Sequence, residues 1–411
     1  MDIFAIATAL IVLSAIFGYI NVRFLKLPVT IGLMVIALLF SMATLLIGKI
    51  FPEVLNLEQQ FIGQIDFEEV VMEGMLSFLL FAGSLHVNFS QLRDLRRPII
   101  LFATLGVLTS TILVGGLTYF LLQLLGLSIP FIHCLLFGAL ISPTDPIAVL
   151  GILKKANAPK KLEIKIVGES LFNDGIGVVV FLTIFGIAAS ESAHFDIGEI
   201  GLLFLEEVGG GILLGLGLGY VAYRLMKSID DYEVEVMISL AIVMGGYLLA
   251  SKLHFSAPLA MVVAGLFIGH ERFRTSTMSE VTELYVDKFW ELIDVLLNAI
   301  LFVLIGLEIV ILPFDNAFVV AGLLAIPVVL FSRYASLALP IALFQKKLEF
   351  VPKTNLIMTW GGLRGGISIA LALSLTEVMS RNLILNMTYI VVIFSIVIQG
   401  LTVGRLVKKF N

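Results

Sequence analysis

The chain has 411 residues, of which 59% are hydrophobic and only 14% are charged, and its mean hydropathy is +1.07. This composition excludes a soluble globular domain and predicts an all-α polytopic membrane protein. The formal net charge of −5 says little about partners, because the charges lie in loops of opposite sign, and the single cysteine excludes an intrachain disulfide and a cysteine metal cluster.

Apolar stretches of the length needed to cross a bilayer follow one another along the whole chain, separated by short loops. They predict about thirteen transmembrane helices in one domain over 1–411, with no soluble regulatory domain. The first span is expected to be retained, since neither a basic segment nor a cleavage site marks it as a signal peptide. The spans are expected near residues 3–22, 28–49, 69–88, 98–124, 131–153, 162–189, 199–226, 233–251, 257–270, 288–311, 316–344, 354–376 and 384–406.

The basic residues of the loops predict the orientation of the chain. Of the 26 lysines and arginines, 21 fall in one set of alternate loops, whereas the other set holds only Lys49, Lys252 and Arg381. The rich side is expected to be cytoplasmic. We therefore expect the N-terminus outside and the C-terminus inside, and the regular alternation also supports the number of spans.

Two short stretches recur in the second half of the chain. Residues 79–86 in span three resemble 301–308 in span ten, and 28–33 in span two resemble 258–263 in span nine. Both pairs are seven spans apart, and an odd offset turns the second copy upside down. The recurrence predicts two inverted repeats of six spans linked by span seven, an arrangement typical of secondary transporters.

Two spans are predicted to be broken, and these are also seven spans apart. Span five contains Pro143 and Pro146, which remove backbone donors, and span twelve contains four glycines within 361–366, which let the backbone unwind. A simple kink or close helix packing would explain either feature alone. Each break also carries a charge, Asp145 or Arg364, which we expect to complement the dipoles of half-helix ends at the midplane.

Five charged residues lie deep inside predicted spans: Asp145, Glu169, Asp174, Arg333 and Arg364. With three negative and two positive charges, one carboxylate has no partner and must be neutralised by a proton or a small cation. Competition between the two at one site predicts 1:1 exchange without net charge movement. Other acids lie nearer span ends and are expected at the interface: Glu206, Glu207, Glu291, Asp294 and Glu308.

The stretch 168–175 in span six carries polar residues on adjacent helical faces, since i and i+4 share a face. Glu169 is expected to pair with Arg333, and Asn173, one turn away, is expected to supply an amide hydrogen bond. This group has a structural role in our interpretation.

The cation site is expected at Asp174 and Asp145, with the Ser170 hydroxyl and unwound backbone oxygens near Thr144. Hard oxygen ligands of this kind suit Na⁺ or Li⁺. The five histidines form no spaced metal-binding motif.

Taken together and in this order, these motifs resemble the monovalent cation:proton antiporters, specifically the microbial sodium/proton antiporter branch related to animal sodium/proton exchangers. The resemblance covers essentially the whole chain. Its motifs are Thr144-Asp145-Pro146, the stretch 169–175, Arg333 in span eleven and the stretch 361–366.

The resemblance implies a homodimer in which core spans, near 69–189 and 288–406, move against dimerisation spans near 1–49 and 199–270. It implies an ion on Asp174 with Asp145, Ser170 and Thr144 nearby. It also implies a structural cluster of Glu169, Asn173 and Arg333. An Asn-Asp pair, here 173–174, goes with electroneutral exchange in this family, and Ala82 stands where many relatives carry an acid.

The expected function is electroneutral exchange of Na⁺, and also Li⁺, for H⁺ by alternating access, with a role in pH homeostasis at the cell membrane. The alternative is a K⁺/H⁺ antiporter with the same site. A channel is disfavoured by the repeat with two breaks. An intramembrane enzyme is disfavoured because neither His-Glu-x-x-His nor Gly-x-Ser-x-Gly is present. No cofactor and no nucleic-acid partner are expected.

Overall fold

The computed structural model describes residues 3–65, 67, 69–85, 96–145, 149, 153, 160–189, 197–270, 273–274, 277–310, 312, 315–344 and 353–410. Every regular element in these ranges is helical, so the predicted all-α class is confirmed. The Pro146 end of the break in span five and most of the second half of that span lie outside the described residues.

Sixteen α-helices run through the described residues. The first eight are α1 Ile3–Ile20, α2 Val29–Gly48, α3 Pro52–Ile62, α4 Leu76–Leu85, α5 Arg96–Leu124, α6 Phe131–Ile141, α7 Lys160–Ala189 and α8 Ile197–Met226. The others are α9 Tyr232–Lys252, α10 Ala257–Ile268, α11 Glu280–Glu308, α12 Asn316–Phe344, α13 Thr354–Trp360, α14 Gly366–Leu373, α15 Arg381–Phe394 and α16 Gly400–Phe410.

Local sequence explains where several helices begin. The Asp231 carboxylate accepts hydrogen bonds from the first backbone N–H groups of α9, at 3.1 and 3.2 Å. Ser256 and Ser279 cap α10 and α11 in the same way. These side chains satisfy donors that have no partner within the helix, which fixes the boundaries at polar residues outside the apolar stretches.

Nine helical stretches of the described residues are long and apolar enough to cross a membrane, and the chain is a multi-pass membrane protein. The predicted breaks are also present. Helix α6 ends at Ile141, just before Pro143. The helix of span twelve stops at Trp360 and restarts at Gly366, so 361–365 is non-helical within an apolar span. The glycines that separate α13 from α14 allow this unwinding.

The loop near residues 50–68 contains a helix that the span pattern did not indicate. Helix α3 is too short to span a bilayer, and it packs against α2. The Gln59 amide also lies 3.4 Å from the carbonyl oxygen of Val310. The described residues also contain π-helical segments that were not predicted, because hydropathy does not distinguish them from an α-helix. They are Asn21–Leu25, Glu69–Met75 and Ser395–Gln399.

The helices pack in two groups. Helices α5, α6 and α7 contact one another, with α12 on α5 and α15 on α12, while α8, α9 and α10 form a second group. Helices α4 and α11 contact the second group through α10 and α9, and α11 also packs on α2. Lipid is as apolar as the helix surfaces, so this packing depends on close contact and on hydrogen bonds more than on the hydrophobic effect.

Helices α5 and α6 approach each other closely at glycines. A Cβ atom added to Gly138 would overlap the Thr111 carbonyl oxygen, and one added to Gly115 would lie 2.8 Å from a side-chain carbon of Leu135. Small residues at a crossing allow two backbones to come this near. The contact holds α6 rigidly just before the break that follows it.

We expect Gly138→Ala to lower the apparent melting temperature in detergent, because overpacking of this kind typically costs about 1–3 kcal/mol. Gly116→Ala on α5 is the matched control, since no described residue of another helix lies within 4 Å of its added Cβ. Equal melting temperatures for the two variants would contradict the close packing of α5 on α6.

Candidate ion-binding site

Helix α7 carries the polar residues around which the site is built. Glu169, Ser170, Asn173 and Asp174 are all at most 3% exposed, although they lie in an apolar membrane-spanning helix. The spacing of four residues puts Glu169 and Asn173 on one stripe and Ser170 and Asp174 on the next. Asn173 on one stripe and Ser170 on the other both contact Thr144, so the two stripes share one neighbour.

Glu169 pairs with Arg333 of α12. The two guanidinium nitrogens donate to the two carboxylate oxygens at 2.5 and 2.8 Å, and both side chains are buried. A paired fork of this kind is the strongest arrangement of an arginine with a carboxylate. The two charges therefore neutralise each other inside the protein.

Asn173 bonds to Thr144 rather than to Arg333. Its amide oxygen accepts the Thr144 backbone N–H at 3.0 Å, and its amide nitrogen donates to the Thr144 hydroxyl at 2.8 Å. The resemblance implied one cluster of Glu169, Asn173 and Arg333, and the hydrogen-bonding part of that prediction needs correction. Thr144 lies in the unwound segment after α6, where backbone groups need partners outside the helix, and Asn173 provides them.

The two broken spans contact each other through the Arg364 side chain and through a backbone hydrogen bond. The Arg364 guanidinium donates to the carbonyl oxygen of Pro143 at 2.7 Å and also to that of Ser142, at the C-terminal end of α6. A cation is favourable at this end of a helix. The Asp145 N–H donates to the Leu363 carbonyl at 2.8 Å, so each unwound segment satisfies part of the other.

The Asp145 carboxylate lies at the N-terminal end of α14. A Cβ atom on Gly365 would be only 2.7 Å from Asp145 Oδ2, so glycine is needed for this approach. A carboxylate is favourable at a helix N-terminus. The expected pairing of Asp145 and Arg364 with opposite half-helix ends thus describes the observed geometry.

Asp145 and Asp174 face the same cavity. Its water-accessible volume of about 40 Å³ is enough for a few water molecules, since one needs about 10–15 Å³ on this measure. Thr144 and Ser170 do not line this cavity, and their hydroxyls hydrogen-bond to each other at 2.8 Å. The other lining residues are Leu76, Leu79, Leu80, Gly83, Pro143, Leu171, Asn298, Leu301, Gly365, Gly366, Ile367 and Ser368.

Sequence reasoning missed the contribution of α11. Asn298 lines the cavity, and the Asp294 carboxylate, one turn before it, is near enough to Asp145 for the two charges to repel. The sequence predicts Asp294 and Glu308 at the membrane interface. In the structure Asp294 is only partly exposed, and Glu308 is buried beside Tyr389 with Arg381 nearby. Distance from a span end does not reveal which way a side chain points.

The sequence matches a known family along nearly its whole length. The profile of the transmembrane sodium/hydrogen exchanger family covers residues 11–409. The chain is 51% identical to the Na⁺/H⁺ antiporter NhaP of Pseudomonas aeruginosa, over 98% of this chain and 96% of the relative. It is 34% identical to the Na⁺/H⁺ antiporter NhaH of Halobacillus dabanensis, over 95% of this chain and 93% of that protein.

The fold has a close counterpart among solved structures. The sodium proton antiporter MjNhaP1 from Methanocaldococcus jannaschii, solved at pH 8, superposes with a TM-score of 0.78. The match covers 100% of this chain and 99% of the other at 21% identity, a level that supports the shared fold alone. With the family profile and the relatives, it leads to one conclusion: the chain belongs to the transmembrane sodium/hydrogen exchanger family and is a secondary transporter, not an enzyme.

Proposed function

We propose that the protein exchanges Na⁺, and also Li⁺, for H⁺ across the cell membrane, with the two ions competing for Asp174. One observation carries the proposal. Asp174 is 3% exposed and faces a small cavity, and no described residue forms a hydrogen bond or ion pair with it. Glu169, by contrast, is neutralised by Arg333. A carboxylate in this position needs a proton or a cation.

Asp145 completes the cation site from the other side of the cavity. In our proposal Thr144 and Ser170 contribute hydroxyl oxygens at the edge of the cation site. Their hydroxyls hydrogen-bond to each other in the structure, and they would rotate to bind the ion instead. Carboxylate and hydroxyl oxygens suit small monovalent cations. The relatives are named as Na⁺/H⁺ antiporters, which favours Na⁺ over K⁺ as the substrate.

We further propose thirteen crossings in two inverted repeats. The nine long stretches, α6, α10, the α13–α14 pair and α4 with its preceding turn give this number over the described residues. Paired breaks in α6 and between α13 and α14 support the repeat, because inverted repeats place broken helices at corresponding positions. The excess of basic loops supports an outside N-terminus and a cytoplasmic C-terminus.

Alternating access requires two bodies that move relative to each other. We propose a core near residues 69–189 and 288–406 and a scaffold near 1–49 and 199–270, the latter also forming the homodimer interface. The cavity lies within the proposed core, where α4 and α11 meet α7 and α14. Movement of the core relative to the scaffold would open the cavity to one side of the membrane and then to the other. Helices α1 and α8 carry exposed apolar residues that a second copy or lipid could cover.

Electroneutral exchange follows if only one charge is exchanged in each crossing. Glu169 and Arg333 neutralise each other, and Arg364 and Asp145 are held at opposite helix ends. Asp294 adds a carboxylate that our charge count from the sequence did not include. The proposal therefore requires Asp294 to keep one charge state through the whole cycle.

Asp174→Asn is expected to abolish Na⁺-driven proton flux while the protein stays folded, because an amide cannot exchange a proton. Flux is measured in proteoliposomes with a pH-sensitive dye on addition of Na⁺, Li⁺ or K⁺. Asp315→Asn is the control, since Asp315 is an exposed carboxylate outside the spans. Clear Na⁺-driven flux in Asp174→Asn would contradict the assignment of Asp174 as the residue that exchanges the two ions.

Glu169→Ala is expected to destabilise the protein by about 3–5 kcal/mol, because it leaves Arg333 buried without its partner. Thermal unfolding in detergent measures the change as a lower melting temperature. The double variant Glu169→Leu with Arg333→Met removes both charges and should recover most of the loss. If Glu169→Ala has the same melting temperature as the wild type, the ion pair has no structural role.

Voltage tests the electroneutral cycle directly. Valinomycin and K⁺ gradients set different membrane potentials in proteoliposomes at fixed Na⁺ and H⁺ ratios. One uncompensated charge moved in each cycle would contribute about 2.3 kcal/mol per 100 mV. Electroneutral exchange moves no such charge, so the null point, at which the internal pH stops changing, is expected at equal Na⁺ and H⁺ concentration ratios whatever the potential. A null point that moves with potential would show that a second carboxylate titrates, and Asp294→Asn would identify it by restoring the fixed null point.

A further inference from the structure

Asn298 is the polar side chain in an otherwise apolar stretch of α11, residues 295–307. It lies on α11 between Leu297 and Ala299, is 4% exposed, and lines the cavity that holds Asp145 and Asp174. A buried amide needs hydrogen-bond partners for both its N–H groups and its oxygen. The bonds that it makes determine which of these groups is left for a ligand.

Both hydrogens of the Asn298 amide are used within α11. The amide nitrogen donates to the backbone oxygen of Asp294 at 2.8 Å and to the Asp294 carboxylate at 3.0 Å. An amide nitrogen has two donors, so these two acceptors fix which end of the side chain is nitrogen. The Asn298 oxygen points away from them, and no described residue donates a hydrogen bond to it.

Resting on the proposed function above, we propose that the Asn298 side-chain oxygen is a further ligand of the transported cation and that Asp294 is the positioning residue that orients it. Amide oxygens are hard ligands that suit small cations, and rows of carbonyl oxygens replace hydration shells in selective ion sites. As a neutral group, Asn298 adds a ligand without adding to the charge that crosses the membrane.

The size of the cavity explains why such a ligand is needed. Its water-accessible volume of about 40 Å³ leaves room for only a few waters, so an ion enters largely dehydrated. The carboxylates of Asp145 and Asp174 come from two of the elements that line the cavity, and further protein oxygens must complete the shell. Asn298 is contributed to the lining by another element, α11.

Asn298→Leu tests the proposal, because leucine keeps the approximate shape and removes the oxygen. The apparent KM for Na⁺ is expected to rise roughly tenfold, as expected for one lost interaction with a charge, with the maximal rate changed far less. The measurement is proteoliposome flux at alkaline pH, where protons compete least. Stabilisation of the detergent-solubilised protein by Na⁺ should weaken in parallel, since a ligand raises the melting temperature according to its affinity.

Asn386→Leu is the matched control. Asn386 is also buried and also donates to a backbone oxygen one turn earlier, at 2.8 Å, but it does not line the cavity. Its KM for Na⁺ is expected to equal that of the wild type. If Asn298→Leu does not fold, Asn298→Ala replaces it. Asn298→Gln keeps both the amide oxygen and the N–H donors that Asp294 accepts, so its KM is expected to rise less than that of Asn298→Leu.

Two results would overturn the proposal. One is an unchanged KM and an unchanged Na⁺-dependent melting shift in Asn298→Leu, and the other is an equal rise of KM in Asn298→Gln. Asp294→Asn keeps an oxygen acceptor and should weaken Na⁺ binding less than Asp294→Leu does; equal losses would overturn the positioning role. Asp174→Asn is run in parallel, since its loss of flux tests the proposed function separately from Asn298.

Discussion

The constraint on which this structure depends is the cost of a buried charge in an apolar surrounding. Water cannot solvate a carboxylate or a guanidinium inside the membrane, so each needs a partner, a helix end or an exchangeable ion. Glu169 and Arg333 meet this need by pairing with each other, with nitrogen–oxygen distances of 2.5 and 2.8 Å. Asp174 is left with a cavity instead. The same physical cost therefore accounts for a buried ion pair at Glu169 and, five residues later, for the exchange site that we propose at Asp174.

The broken helices meet the same constraint without paired side chains. Unwinding exposes carbonyl oxygens at one helix end and N–H groups at another, and each end carries partial charge. Arg364 takes the carbonyls that follow α6, and the carboxylate of Asp145 meets the start of α14. Asn173 then fixes the Thr144 backbone to α7. The unwound segments are thus held firmly, while the Asp145 carboxylate still lines the cavity.

Sequence predicted those features that depend on composition and spacing. Hydropathy located most helices within a few residues, but α11 begins at Glu280, eight residues before the predicted start at 288. The prolines and glycines predicted the breaks, because backbone chemistry is local. The partner of Glu169 was predicted because few opposite charges lie at that depth. The hydrogen bonds of Asn173 and the position of Asn298 were not, since both depend on how α7 and α11 rotate about their axes. Periodicity cannot fix that rotation when a helix is apolar on nearly every face.

The case of α11 also shows what a charge count from sequence lacks. Depth along a span separates interfacial from buried groups only when the side chain points toward lipid or solvent. Asp294 is near a span end, yet it faces inward and binds Asn298, so it belongs to the same electrostatic system as Asp145. Four carboxylates and two arginines then share one region. The single-charge exchange that we propose is compatible with this set only if neighbours restrain the others. Asp294 is hydrogen-bonded by the Asn298 amide, the same group that we propose as a ligand of the ion.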